Sequence, residues 1–107
     1  MKRGTICWVN LEPSFPPEFG KTRPVLIISN SDQNLILGTV VVLPLSTKPP
    51  EIWPLRQRLI LPRRKSSFVV LPGIRQVNKT RLLNVIGYAS QETLTAIDVA
   101  LDAYLKD

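Results

Sequence analysis

RPVLIIS, residues 23–29, is the stretch on which the fold turns. Val25, Leu26, Ile27 and Ile28 form a nearly continuous, β-branched apolar run with no helical period, as expected of a strand buried on both faces. Arg23 stands at its mouth, within GKTRP at 20–24. A sheet would hold that arginine's backbone and leave its guanidinium free to fork onto a phosphate. On composition alone, an ordinary strand-edge charge is the commoner reading. Residues 39–45 (TVVVLPL) have the same buried character, so the two segments are expected to be central strands, with Pro44 marking a bend or the end of useful pairing. LST at 45–47 ends the second of them. If the two strands are neighbours, the Ser46 and Thr47 hydroxyls can reach the phosphate that Arg23 would hold, although strand-end Ser and Thr more often form turns.

Working outward, residues 5–11 read as a first strand, with Ile6, Trp8 and Asn10 on one face and Cys7, Val9 and Leu11 on the other. Residues 12–22 (EPSFPPEFGKT) hold three prolines and a glycine, which exclude helix and interior strand and leave an exposed, partly stiffened arm. SNSDQN at 29–34 is expected to be a polar connector and 48–50 a loop. LRQRLIL at 55–61 alternates at first, setting Arg56 and Arg58 on the face opposite Gln57 and Leu59. Arg63, Arg64 and Lys65 make a basic tip before FVVL at 68–71, which Pro72 and Gly73 break. Residues 74–77 resume extended structure, 78–81 make a turn or one helical turn, and 83–88 (LNVIGY) make a last strand. Ser90 caps a C-terminal helix with Glu92 in its first turn and Leu94, Ile97, Leu101, Tyr104 and Leu105 along one side. That helix packs on the sheet or across a dimer interface. Together these segments predict an α+β fold, a small, twisted, barrel-like sheet closed by one helix.

The chain has 107 residues, the size of one domain spanning 1–107, and no apolar run approaches the about 20 residues that cross a bilayer. A cytoplasmic protein with no membrane anchor is expected. With no histidine and one cysteine, the usual zinc ligand sets cannot be assembled, and neither metal nor cofactor is expected. Cys7 sits in an apolar run without a histidine to activate it and reads as a packed strand residue.

Charge points to a partner. The net charge is +6, yet residues 90–107 hold Glu92, Asp98, Asp102 and Asp107 against Lys106, so the remaining 89 residues carry +9. Such an excess favours a polyanion. Cutting a phosphodiester without metal needs a base, cations around the phosphate and a proton source. Without histidine, arginines, carboxylates and hydroxyls must supply them. Lys21, Thr22, Arg56, Arg58, Arg75, Gln76, Lys79 and Arg81 are the candidate wall of a backbone-binding groove, though a solvated basic face would look the same. Phe19 and Trp53 are candidates to stack on unpaired bases, while Trp8 is expected in the core.

KRGTICWVNLEP, GKTRPVLIIS, VVLPLST and IRQVNKTRL, in this order and spacing, resemble the MazF/PemK toxins of bacterial toxin–antitoxin systems across nearly the whole chain. The resemblance implies an antiparallel SH3-like barrel of the CcdB/MazF/Kid-like kind, a homodimer, and metal-independent cleavage of single-stranded RNA. In that chemistry the 2′-hydroxyl attacks the adjacent phosphate, leaving a 2′,3′-cyclic phosphate and a 5′-hydroxyl. It also implies an antitoxin partner with an acidic tail. By position, Arg23 matches the family's catalytic arginine, Ser46 falls where threonine is usual with Thr47 beside it, and Glu18 matches a loop glutamate that could serve as base. Pro72 and Gly73 replace the acidic residue and glutamine that many members carry, and Asn78 replaces an aspartate. One proposed acid or base of the family is therefore missing. The alternative is a non-enzymatic module of the same architecture, a CcdB-like toxin or an RNA-binding protein, although CcdB-like proteins act through an apolar and aromatic C-terminus that includes a tryptophan absent here.

Overall fold

A computed structural model describes residues 1–59, 61 and 66–107. The expected basic tip at 63–65 lies outside the described residues. Among them the chain forms β1 (Thr5–Asn10), β2 (Thr22–Ile27), α1 (Ser31–Ile36), β3 (Thr39–Ser46), β4 (Arg56–Leu59), β5 (Ser67–Val70), β6 (Arg75–Asn78), β7 (Leu82–Tyr88) and α2 (Gln91–Leu105). Short 3-10 turns at Leu71–Gly73 and Lys79–Arg81 join β5 to β6 and β6 to β7. The strands pair antiparallel in the order β4-β5-β3-β2-β1-β7, and β6 also pairs with β3. This is the expected α+β architecture, with β2 and β3 adjacent.

The alternation of β1 and β2 divides the interior in two. Ile6 and Leu26 join Leu43, Leu45 and Val69 beneath Leu94, Ile97 and Ala100 of α2. Cys7, Val9, Val25 and Ile27 join Val40, Val42 and Val77 on the other face. Burial on both faces is what the continuous apolar runs require. Cys7 has no exposed surface, and burial pushes its thiol up to about 11, as suits a packed strand residue.

Four expectations need correction. The polar connector contains α1, because Asn30 caps it by accepting from the N–H groups of Asp32 and Gln33, and buried Asn34 donates to the carbonyls of Met1 and Ser29. Pro44 does not end pairing: β3 runs on to Ser46. It falls between Val42, the last partner of β6, and Leu45, the first partner of β5, where a missing N–H removes no ladder bond. Trp8 is half-buried rather than core, since its face of β1 runs out of covering residues there. On α2 the buried side is Leu94, Ile97 and Ala100, while Tyr104 and Leu105 are exposed and Leu101 is only half-buried. Arg3 ties the helix to the sheet, bonding Asp98 and the carbonyl of Ile28.

Candidate nucleic-acid interface and active site

Two residues past its last paired position, the β2–β3 register brings Arg23 level with Ser46. Val9 pairs with Arg23 on one side, and Ser46 pairs with Phe68 on the other. The two candidate residues thus share a row across the sheet. They line one cleft of about 490 Å³ together with Lys21, Thr22, Thr47 and Trp8. GKTRP and LST, some twenty residues apart in sequence, become spatial neighbours because the two buried strands pair.

Arg23 is held in two ways. Its Nε–H donates to the carbonyl of Gly20 at 3.0 Å, and its guanidinium carbon lies 5.0 Å from the centre of the Phe19 ring. Among the described residues its terminal nitrogens make no hydrogen bond, so the outward pair of the fork can receive a phosphate. Ser46 is nearly buried, and its Oγ accepts from the Lys48 N–H at 3.1 Å. That leaves the Ser46 O–H free to donate. Thr47 is exposed at the mouth of the cleft. Arg56 reaches the same turn, its Nη1 donating to the Lys48 carbonyl at 3.2 Å.

The other expected residues are distributed around this centre. Arg58 lies over Phe68 at 5.9 Å, in the row of Ser46. Trp53 is 60% exposed. Glu18 and Arg75 line a second cavity of about 690 Å³, walled by the proline-rich loop and by Phe19, whose ring also meets the Arg23 guanidinium. One oxygen of Glu18 accepts from the Phe15 N–H at 2.8 Å. Arg75 donates to the Leu11 carbonyl at 3.2 Å, and Arg81 to the carbonyls of Asn10 and Glu12, so both brace the start of that loop. Gln76 bonds Thr39, and Lys79 is half-buried in its 3-10 turn. Gly73 has no room for a side chain, since a Cβ there would lie 2.4 Å from the Pro44 ring.

Sequence reasoning missed Glu12. Its Oε1 accepts from the Lys21 N–H at 2.6 Å, and Ser14 Oγ lies 3.3 Å from both carboxylate oxygens. The backbone bond from Lys21 is the main cause holding this carboxyl below the ordinary glutamate range, with Ser14 contributing and desolvation opposing. The expected exposed, stiffened arm is therefore also folded back on itself, closed at Lys21 by Glu12 and Leu11. No group of three His, Cys, Asp or Glu side chains converges among the described residues. No helix among them is long and apolar enough to cross a membrane.

Residues 2–105 match the family of PemK-like, MazF-like toxins of type II toxin–antitoxin systems. The chain is 28% identical over 109 residues to the endoribonuclease EndoA of Bacillus subtilis, covering 98% of this chain and 94% of that protein. Its fold is similar to that of a MazF from Deinococcus radiodurans, with TM-score 0.85 and 22% identity over 98% of this chain and 96% of the other. It is likewise similar to a mycobacterial endoribonuclease solved with its cognate antitoxin, with TM-score 0.82 and 24% identity over 98% and 94% of the two chains.

Proposed function

Because this chain belongs to the PemK-like, MazF-like toxins of type II toxin–antitoxin systems, we propose that its endoribonuclease activity is centred on Arg23. The observation that carries this reading is the pinned guanidinium, with unused donors, in one cleft with Ser46 and Thr47.

Arg23 forks onto the non-bridging oxygens of the scissile phosphate, and Ser46 or Thr47 donates to one of them. The ribose 2′-oxygen attacks the adjacent phosphorus and loses its proton to Glu18, the loop carboxylate one residue before Phe19. The bond from phosphorus to the 5′-oxygen breaks, and that oxygen takes a proton relayed at Arg23 from water. A 2′,3′-cyclic phosphate and a 5′-hydroxyl result. Glu12 is a poorer base, because Lys21 and Ser14 already engage its carboxylate.

The substrate is single-stranded RNA, held along its backbone by Lys21, Thr22, Arg56 and Arg58, with Arg75, Gln76, Lys79 and Arg81 extending the basic face and Phe19 and Trp53 offering aromatic surface. The partners are an acidic-tailed antitoxin that competes for the same charge and a second copy of this chain. Exposed Leu83 and Val85 on edge strand β7, with Tyr104 and Leu105 at the end of α2, support self-association.

Replacing the ribose at a mapped cleavage site by 2′-deoxyribose tests the chemistry. The expected result is no cleavage at that position and unchanged cleavage elsewhere. Cutting at the deoxy position would rule out attack by the 2′-hydroxyl.

A further inference from the structure

We propose that Glu12 is a positioning residue for RNA cleavage: its carboxylate closes the loop that holds the Arg23 guanidinium in place. The inference rests on the reading that Arg23 is catalytic, and it assigns a role to a residue that touches neither cleft.

Three observations converge on this carboxylate. First, it closes a nine-residue span, accepting the Lys21 N–H at 2.6 Å, while the Lys21 carbonyl accepts from the Leu11 N–H at 2.8 Å. Lys21 is thus gripped on both sides of its Cα. It adopts φ of 62°, a left-handed conformation that side-chain-bearing residues rarely take without support. Second, the carboxylate fills the inside of the turn. A Cβ on Gly20 would lie 2.4 Å from Glu12 Oε1 and 2.2 Å from Ser14 Oγ, so a side chain there would have to displace both groups from the turn. Third, the turn presents the Gly20 carbonyl to Arg23 Nε at 3.0 Å, and the preceding residue, Phe19, supplies the ring under the guanidinium. Both supports of the arginine therefore belong to the segment that Glu12 closes. From its backbone side, Glu12 is itself anchored by Arg81, which donates to its carbonyl.

Removing the carboxylate would free the Lys21 N–H and relax the turn while leaving both buried clusters intact, because Glu12 is exposed. The guanidinium would then sample positions away from the phosphate. Small misplacements of a positioned group cost up to roughly 100-fold in rate.

The test compares Glu12→Ala and Glu12→Gln with the wild-type chain, alone and combined with Arg23→Ala. Glu12→Ala is expected to lower kcat roughly 10- to 100-fold with KM changed by less than about threefold. Glu12→Gln, which keeps an acceptor oxygen, should recover most of that loss. Added to Arg23→Ala, Glu12→Ala should cost nothing more, since the group it positions is gone. Losses that multiply, or a Glu12→Ala variant within twofold of wild type, overturn the proposal. A readout independent of turnover is the Arg23 Nε–H resonance, assigned by its disappearance in Arg23→Ala. It should exchange slowly in wild type and Glu12→Gln and quickly in Glu12→Ala. An unchanged resonance in Glu12→Ala also overturns the proposal. If Arg23→Ala cleaves like wild type, it is instead the underlying reading of Arg23 that fails.

Discussion

The Nε–H of Arg23 points back to the carbonyl of Gly20 at 3.0 Å. That bond turns the rest of the guanidinium outward, toward a cleft shared with Ser46 and Thr47. Lysine offers a point charge where arginine offers a planar fork, and the diverging N–H groups of one ammonium cannot present two parallel donors to a phosphate while a third stays on Gly20. Arg23→Lys is expected to lower kcat by roughly 100- to 1,000-fold, the usual loss for a donor that stabilises charge in the transition state. Single-turnover cleavage of a short RNA measures it.

Phe19 gives a graded companion to that variant. Its ring lies under the guanidinium at 5.0 Å, a cation–π contact expected to contribute about 0.5–1 kcal/mol at so open a site. Phe19→Leu should therefore reduce kcat about two- to fivefold, well short of the Arg23→Lys effect. A loss as large as that of Arg23→Lys would mean the ring does more than support the arginine.

Glu18 is the proposed base, and Glu18→Gln keeps its shape while removing the basic oxygen. Loss of a general base typically costs roughly 100- to 10,000-fold. Affinity for a non-cleavable 2′-deoxy oligonucleotide should hardly change. If cleavage survives the substitution, another group takes the 2′-hydroxyl proton.

Cys7 links burial to pH. Its thiol is raised from 9.0 to about 11 in the folded chain by desolvation, so between those values the unfolded chain loses a proton that the folded chain keeps. The stability from this group is fully present below about pH 9 and is lost as pH rises through the folded value. Denaturation midpoints should fall between pH 9 and 11 more steeply than in Cys7→Val. Native Cys7 should also resist thiol reagents that modify the unfolded chain readily.

Gly73 marks a tight approach rather than a flexible joint. A Cβ there would lie 2.4 and 2.8 Å from the Pro44 ring, whose position between β5 and β6 partners leaves little room to move. Gly73→Ala is expected to destabilise the fold by about 1–3 kcal/mol through overpacking, measured by urea unfolding.

The strands were legible because β1, β2, β3 and β5 are apolar runs that only a two-sided interior accommodates. The pairing of β2 with β3 then brought Arg23 and Ser46 together without further information. Other features depended on contacts that periodicity does not encode. The six-residue α1 is too short to show a helical repeat, and only Asn30, one residue before it, signalled a cap. Alternation along β1 gave the side on which Trp8 lies but not where that side stops being covered. Glu12 acts through a turn nine residues on, and the one local hint was Gly20 in a loop otherwise stiffened by prolines.

The most direct measurement of the central claim is incubation of the purified chain with single-stranded RNA in EDTA, with Arg23→Ala alongside and the new ends mapped chemically. The account predicts 2′,3′-cyclic phosphate and 5′-hydroxyl ends from the wild-type chain and their near-complete loss in Arg23→Ala. RNA left intact by wild type across many sequences, or cut equally by the variant, would contradict it.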